Sequence, residues 1–298
     1  MNVRRLSDLI GRNLMFSFTL FSSLILFFIA IALFHKSMLV LATRSFGELI
    51  FSSAWHPSTS QFGFYPFILG TVWVTVLAMT LSVLPSLLTS IYLAEYASTK
   101  VRGIIKPMVD LLAGIPSVVF GLWGLLVVVP LIRNYLAVLV GVTTTGYTVL
   151  AGGVVLAIMV SPVIVSISEE VIRAVPKGAR EASMALGATK WQTVKHVVMR
   201  SALPGVVAAI ILGFGRAFGE TMAVLMVVGN VVKVPSSLFD PAYPIPALLA
   251  NNYGEMMSIP LYESALMFAA LLLLLVVLMF SLLAGVLLAG IKRRYAFG

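Results

Sequence analysis

Cysteine is absent from all 298 residues, which excludes disulfides and cysteine-ligated metals while leaving the redox compartment open. Charge is scarce as well: Asp, Glu, Lys and Arg together make up 10% of the chain. With 60% hydrophobic residues and a mean hydropathy of +1.06, neither an ordinary soluble globule nor a disordered chain fits. Three short signatures are missing too: a GxxxxGK loop closed by Ser or Thr, HExxH, and GxSxG. A chain that hydrolysed ATP itself would need the first. No nucleophile–base or metal constellation replaces them, so no catalytic and no metal-binding residue is assigned. The alternating ten-residue pattern of a membrane barrel is also absent, which leaves helices as the way to satisfy backbone polar groups in lipid.

What is present is a set of six apolar spans. Residues 14–34, 66–93, 111–132, 147–168 and 264–291 contain no Asp, Glu, Lys or Arg, and 203–229 contains only Arg216 and Glu220. Each is long enough to cross a bilayer. Arg4 and Arg5 before the first span, and Ala30-Ile31-Ala32 within it, mimic a secretory signal. Its 21 residues exceed a signal core of roughly 7–15, so it reads as a retained helix.

The Lys and Arg residues set the orientation. With the N-terminus in the cytoplasm, fifteen of the twenty fall in the inner segments 1–13, 94–110, 169–202 and 292–298. Lys36, Arg44, Arg133 and Lys233 fall outside, and Arg216 lies within a span. The positive-inside rule therefore predicts both termini in the cytoplasm. The formal charge of +9 is a topology signal and not a nucleic-acid footprint.

Residues 180–230 organise the rest. Ala179, Ala182 and Leu186 recur at helical spacing beside Arg180 and Glu181, Gly187 is placed to end that helix, and Thr189 with Gln192 forms a capping-box pattern for the next. By composition alone this is an ordinary surface hairpin. The span 203–229 would be about 40 Å long as one helix, with Arg216 and Glu220 four apart on nearly the same face and Gly215 and Gly219 as a GxxxG pair. An arginine there costs about 2.5–3.5 kcal/mol on insertion scales, so it faces protein or water. Two readings stay open, a substrate site or a structural ion pair. In 111–132, Pro116 predicts a kink, with Ser117 offering a hydroxyl beside it and Gly114, Gly121 and Gly124 permitting close packing. Helix packing and pathway lining are both open there, and Asp110 suits the start of that helix.

EASMALG at 181–187 resembles the EAA…G cytoplasmic loop of permease subunits of binding-protein-dependent ABC importers. GFGRAFGETMAVLMVVGN at 213–230 and LAGIPSVVFGLWG at 112–124 are similar to segments of permeases of the phosphate-specific transport family, closer to its PstC-like branch. The likeness runs from about Trp55 onward. One departure stands out: Met199-Arg200 occupies the place of the family's usual Leu-Pro, and Leu203-Pro204 comes later, which predicts a shifted entry into the next helix.

The resemblance implies an all-α membrane protein of six transmembrane helices, a MetI-like bundle of the type I ABC importer class. Residues 1–65 would form an N-terminal segment, 66–291 the permease domain and 292–298 a basic tail. It also implies alternating access for inorganic phosphate, with Arg216, Glu220 and Ser117 on the pathway and Glu181, Ala182 and Gly187 coupling to the ATPase. ATP and Mg would be bound by two cytoplasmic ATPase subunits. A PstA-like second permease or a second copy, an external phosphate-binding protein and membrane lipid complete the partners, without nucleic acid. The outer segments 35–65 and 231–263 would be connecting loops or the binding protein's docking surface. Rival readings are a permease for sulfate or molybdate, or an ion-coupled secondary transporter.

Overall fold

The computed structural model describes residues 3–254 and 258–295. Of the basic tail, residues 296–298 therefore lie outside the described residues. Six helical segments are long and apolar enough to cross a bilayer: 10–43, 65–96, 117–140, 149–174, 190–219 and 260–290. They are joined at one end by a small cap and at the other by a helical hairpin. We number the elements α1 (Val3–Thr43), α2 (Phe46–Phe51), β1 (Trp55–His56), β2 (Gln61–Phe62), α3 (Tyr65–Ile91), α4 (Thr99–Gly114), α5 (117–140), α6 (Val149–Ala174), α7 (Lys177–Ala185), α8 (190–219), α9 (Met222–Leu225), α10 (Ile245–Asn252) and α11 (Pro260–Tyr295).

The centre of the bundle is α3 against α6, its most extensive helix pair. Small residues make the approach possible. A Cβ on Gly153 would sit 2.6 Å from Leu77, and one on Gly152 3.3 Å from Val74. Ser82 and Ser161 join hydroxyls across the same seam at 3.0 Å, so the polar atoms there are satisfied without water. Val74, Phe120, Val155, Met159, Ala223 and Val227 fill the core around this pair.

Three of the differences from the predicted helix boundaries bear on the site. The third span does not begin at Leu111: residues 99–114 form the separate amphipathic helix α4, and Ile115 and Pro116 are extended (ψ 132° and 139°). Pro116 thus caps α5 instead of kinking a continuous helix, because proline disfavours helical geometry in the residue before it. Asp110 consequently lies near the end of α4 rather than the start of a span, bonded to Ser166 Oγ (2.8 Å) and Lys106 Nζ (3.2 Å). At the other correction, Leu203-Pro204 marks no entry. The second helix of the hairpin runs unbroken from Lys190 to Gly219, through a π-helical turn at 194–198 and with Pro204 inside. The third boundary, at Glu220, belongs to the functional site.

The cap is an aromatic knot. The β1–β2 hairpin pairs Trp55 with Phe62 and His56 with Gln61. Trp55 meets Phe62, Phe64, Phe67 and Tyr262 edge-on, at centroid distances of 4.8–5.9 Å. Edge-to-face pairs are each worth about 0.5–1.5 kcal/mol beyond their buried area. The knot therefore ties the segment after α1 to the start of α11. On the far side of the cap, Val149 N and Leu150 N at the start of α6 donate to Asp240 O and Leu238 O, both at 2.9 Å. Two amides that a helix start leaves unpaired are thus satisfied by the 231–244 loop.

Candidate functional site

α8 ends at Gly219. Glu220 turns extended (φ −72°, ψ 124°), and α9 follows as a single turn, Met222–Leu225. The expectation of one helix through 203–229, with Arg216 and Glu220 on one face, is corrected here. Glu220 is not a helical neighbour of Arg216: its Oε1 accepts from Ala223 N at 3.1 Å and so caps α9. At the far end Asn230, in the left-handed region (φ 52°), donates Nδ2 to Leu225 O at 2.8 Å. The break has a packing cause. Gly121 of α5 lies where a Cβ would come within 3.1 Å of Ala223 Cα and 3.3 Å of Met222 O, so α9 is pressed into the wall formed by α5 and α6.

Arg216 sits in the last turn of α8, where a cation complements the helix dipole. Its side chain is exposed, and among the described residues it has no hydrogen-bond or ion-pair partner. Gly215 and Gly219, on the same face, are exposed as well, and a Cβ on either would touch nothing within 4 Å. The close approaches occur instead at Gly205, against Val171, and Gly213, against Ile164. The Gly215–Arg216–Gly219 face is therefore left open by this chain. An unpaired guanidinium costs too much for a lipid-facing position, so the open face requires water, an anion or another chain.

Ser117 opens α5 and is half-buried, with no bond among the described residues. It lies one turn from Gly121, so the structure sets α5, which Ser117 opens, beside α9, which Glu220 caps. Beside α9 a cavity of ≈ 620 Å³ is bounded by Thr143–Thr145, Tyr147, Met226, Asn230 and Asp240. Asp240 there accepts from Ser236 N, Ser236 Oγ and Ser237 N at 2.7–3.0 Å, and from Lys233 Nζ at 3.2 Å. These bonds, led by those from Ser236, hold its carboxyl at about 2, well below the usual 3.8.

At the opposite end α7 and the start of α8 form the hairpin. Gly187 is left-handed (φ +86°), and Thr189 and Gln192 form the full capping box. Glu181, Ala182 and Gly187 are all exposed, beside Met184, Leu186 and Trp191, which are 46%, 90% and 56% exposed. So many bare apolar groups on a polar hairpin form a patch shaped for a partner.

Behind the hairpin lie charges that sequence reasoning missed. Glu169 of α6 is fully buried and faces Arg102 (2.9 Å), Arg173 (3.6 Å) and Lys106 (3.8 Å). The i,i+4 spacing of Glu169 and Arg173 was a readable sign, but the two cations from α4 were not. Arg180 binds Glu95 at 2.6 Å.

Residues 86–296 match the family described as binding-protein-dependent transport system inner membrane component. The chain belongs to that family. This permease is 39% identical over 210 residues to a probable ABC transporter permease protein, YqgH, of Bacillus subtilis, covering 70% of this chain and 66% of that one. It is 35% identical over 261 residues to the phosphate transport system permease protein PstC of Xylella fastidiosa, covering 83% and 80%. Among solved structures, a bacterial ABC transporter of alginate, in complex with its alginate-bound periplasmic protein, superposes with a TM-score of 0.62 at 16% identity, covering 97% of this permease and 98% of that chain. The inward-facing MetNI methionine transporter gives 0.57 at 21%, covering 74% and 93%. These two likenesses establish the fold, a MetI-like importer bundle. With six apolar helices and this family, the permease is a multi-pass inner-membrane protein.

Proposed function

We propose that this permease conducts inorganic phosphate inward as one subunit of an ATP-driven, binding-protein-dependent importer, with Arg216 as the anion-binding residue. The observation that carries the reading is an unpaired arginine on an open face, at the tip of a helix whose other end is the coupling hairpin. Relatives named for phosphate transport supply the substrate class.

The chemistry fits a protonated oxyanion. A guanidinium offers paired donors that match phosphate oxygens and stays charged in any surroundings. Glu220 spends Oε1 on Ala223 N, and its second oxygen has no partner among the described residues. That oxygen accepts the proton phosphate carries near neutral pH and repels sulfate, which has none to give. It also keeps the arginine from holding phosphate too tightly for release. Ser117, across from α9, adds a neutral hydroxyl.

Two ATPase subunits, carrying ATP and Mg, would seat the Glu181–Ala182–Gly187 hairpin in the cytoplasm, with both termini on the same side. A second permease chain, PstA-like or a second copy, would close the open face of α8 and complete the pathway. The aromatic cap and the 231–244 loop, continuous on one side of the bundle, would receive the external binding protein. Uptake of radiolabelled phosphate into proteoliposomes carrying the assembled complex tests the reading. Sulfate or molybdate uptake in place of phosphate would show a different oxyanion importer, and uptake by this chain alone without ATP would show a secondary transporter.

A further inference from the structure

α7 follows α6 through Val175 and Pro176, both extended (ψ 131° and 137°), while the second arm of the hairpin packs Val198 and Ala202 in one buried cluster with Ile172 and Val175. Arg180 adds a polar brace that holds α7 itself. Its Nε and Nη2 donate to Glu95 Oε1 at 3.0 and 2.6 Å, Nη2 also donates to Ile172 O at 2.8 Å, and Nη1 donates to Val175 O. One planar fork thus clamps α7, the last turn of α6 and the π-helical turn 92–96 that ends α3. Val175 O is among the carbonyls a helix end leaves unpaired, so the fork satisfies it, while Ile172 O accepts from Val175 N as well. Both side chains are shielded, Arg180 being 16% and Glu95 8% exposed. Losing either partner would strand a buried charge, so the pair resists opening under load.

The second arm of the hairpin reaches the same turn. Lys190 Nζ lies 4.6 Å above the ring of Tyr96, next to Glu95. Ser183 and Thr193 tie the two arms to each other at 2.9 Å.

We propose that Arg180 and Glu95 are positioning residues for transport: they lock the hairpin to the end of α3, so that ATPase movement at the hairpin turns the α3–α6 pair as one body. The idea builds on the proposed importer function and locates where its force enters the bundle.

The test uses the whole complex reconstituted in proteoliposomes, with transported phosphate per ATP hydrolysed read for each assembled complex. Glu95→Gln keeps shape and removes charge. It is expected to lower that ratio about tenfold, equivalent to about 1.4 kcal/mol of lost linkage. In an Arg180→Met background the same change should add little, since both act through one contact. Because this chain has no cysteine, Glu95→Cys with Arg180→Cys in a cysteine-free complex can be bridged by a short bifunctional thiol reagent. Bridging should restore the ratio, which a purely structural salt bridge would not predict. A normal ratio in Glu95→Gln and Arg180→Met would overturn the proposal, as would fewer assembled complexes that each couple normally. The wild-type complex failing to take up phosphate would count against the importer reading instead, and the lever would then be read on whichever solute it moves.

Discussion

Glu220 and Asn230 hold opposite ends of the same four-residue helix, one accepting from Ala223 N and the other donating to Leu225 O. The short turn between the cavity lined by Asn230 and Arg216 is therefore braced by two polar side chains. That arrangement separates two roles for Glu220, capping and charge, which substitutions can tell apart.

Glu220→Gln keeps an oxygen for Ala223 N and loses the charge, whereas Glu220→Ala loses both. We expect Glu220→Gln to assemble normally and to weaken discrimination between phosphate and sulfate. Glu220→Ala should in addition destabilise α9 by about 0.5–2 kcal/mol, the usual cost of a lost cap. Competition of sulfate against phosphate uptake, alongside thermal stability of the complex, separates the two.

Arg216→Gln should abolish phosphate uptake while the complex still assembles and still hydrolyses ATP. Arg216 and Glu220 are not paired, so adding Glu220→Gln should not restore uptake. Recovery in the double variant would show a structural salt bridge and would sink the pathway role of both.

Gly187→Leu places a side chain in the left-handed region at a cost of about 1–2 kcal/mol, and Ala182→Asp puts a charge on the exposed apolar patch. Both variants should insert normally but lose substrate-stimulated ATP hydrolysis. Co-purification of the ATPase and its turnover would show it; unchanged values would make the hairpin a simple connector.

Orientation is open to direct test because the chain lacks cysteine. Single cysteines at Ser58 or Thr145 should react with an impermeant thiol reagent from outside, and ones at Lys177 or Ala185 only after the membrane is opened. Labelling of Ala185 from outside would invert the topology.

Asp240 gives the 231–244 loop a pH dependence. Its carboxyl titrates lower folded than unfolded, so its stabilising effect is complete above about 3.8 and disappears as pH falls through about 2. Protease cleavage between 231 and 240 should rise over that acid range, and Asp240→Asn should show high cleavage at every pH.

Much of this architecture was legible because long apolar runs and punctuating residues are local signals. Thr189 and Gln192 announced their capping box, and Gly187 its left-handed turn. The break at Glu220 was only partly legible: Gly219 directly before it is a helix-stop residue, but the apolar run hid it, and Gly121 of a different helix approaches Met222 O there. The pairing of Arg180 was not legible, because its partner Glu95 lies 85 residues away in sequence. Pro204 misled in the other direction. A helix that already packs Gly205 against Val171 tolerates a proline that an isolated helix would not.

The aromatic cap has an optical consequence. Trp55 is packed edge-on against four rings, while Trp73, Trp123 and Trp191 are 42%, 41% and 56% exposed. Replacing those three with phenylalanine would leave one indole, in the cap at one end of the bundle, as the chain's only strong emitter. Its fluorescence would then register a visitor settling on that surface, in real time and without any attached dye.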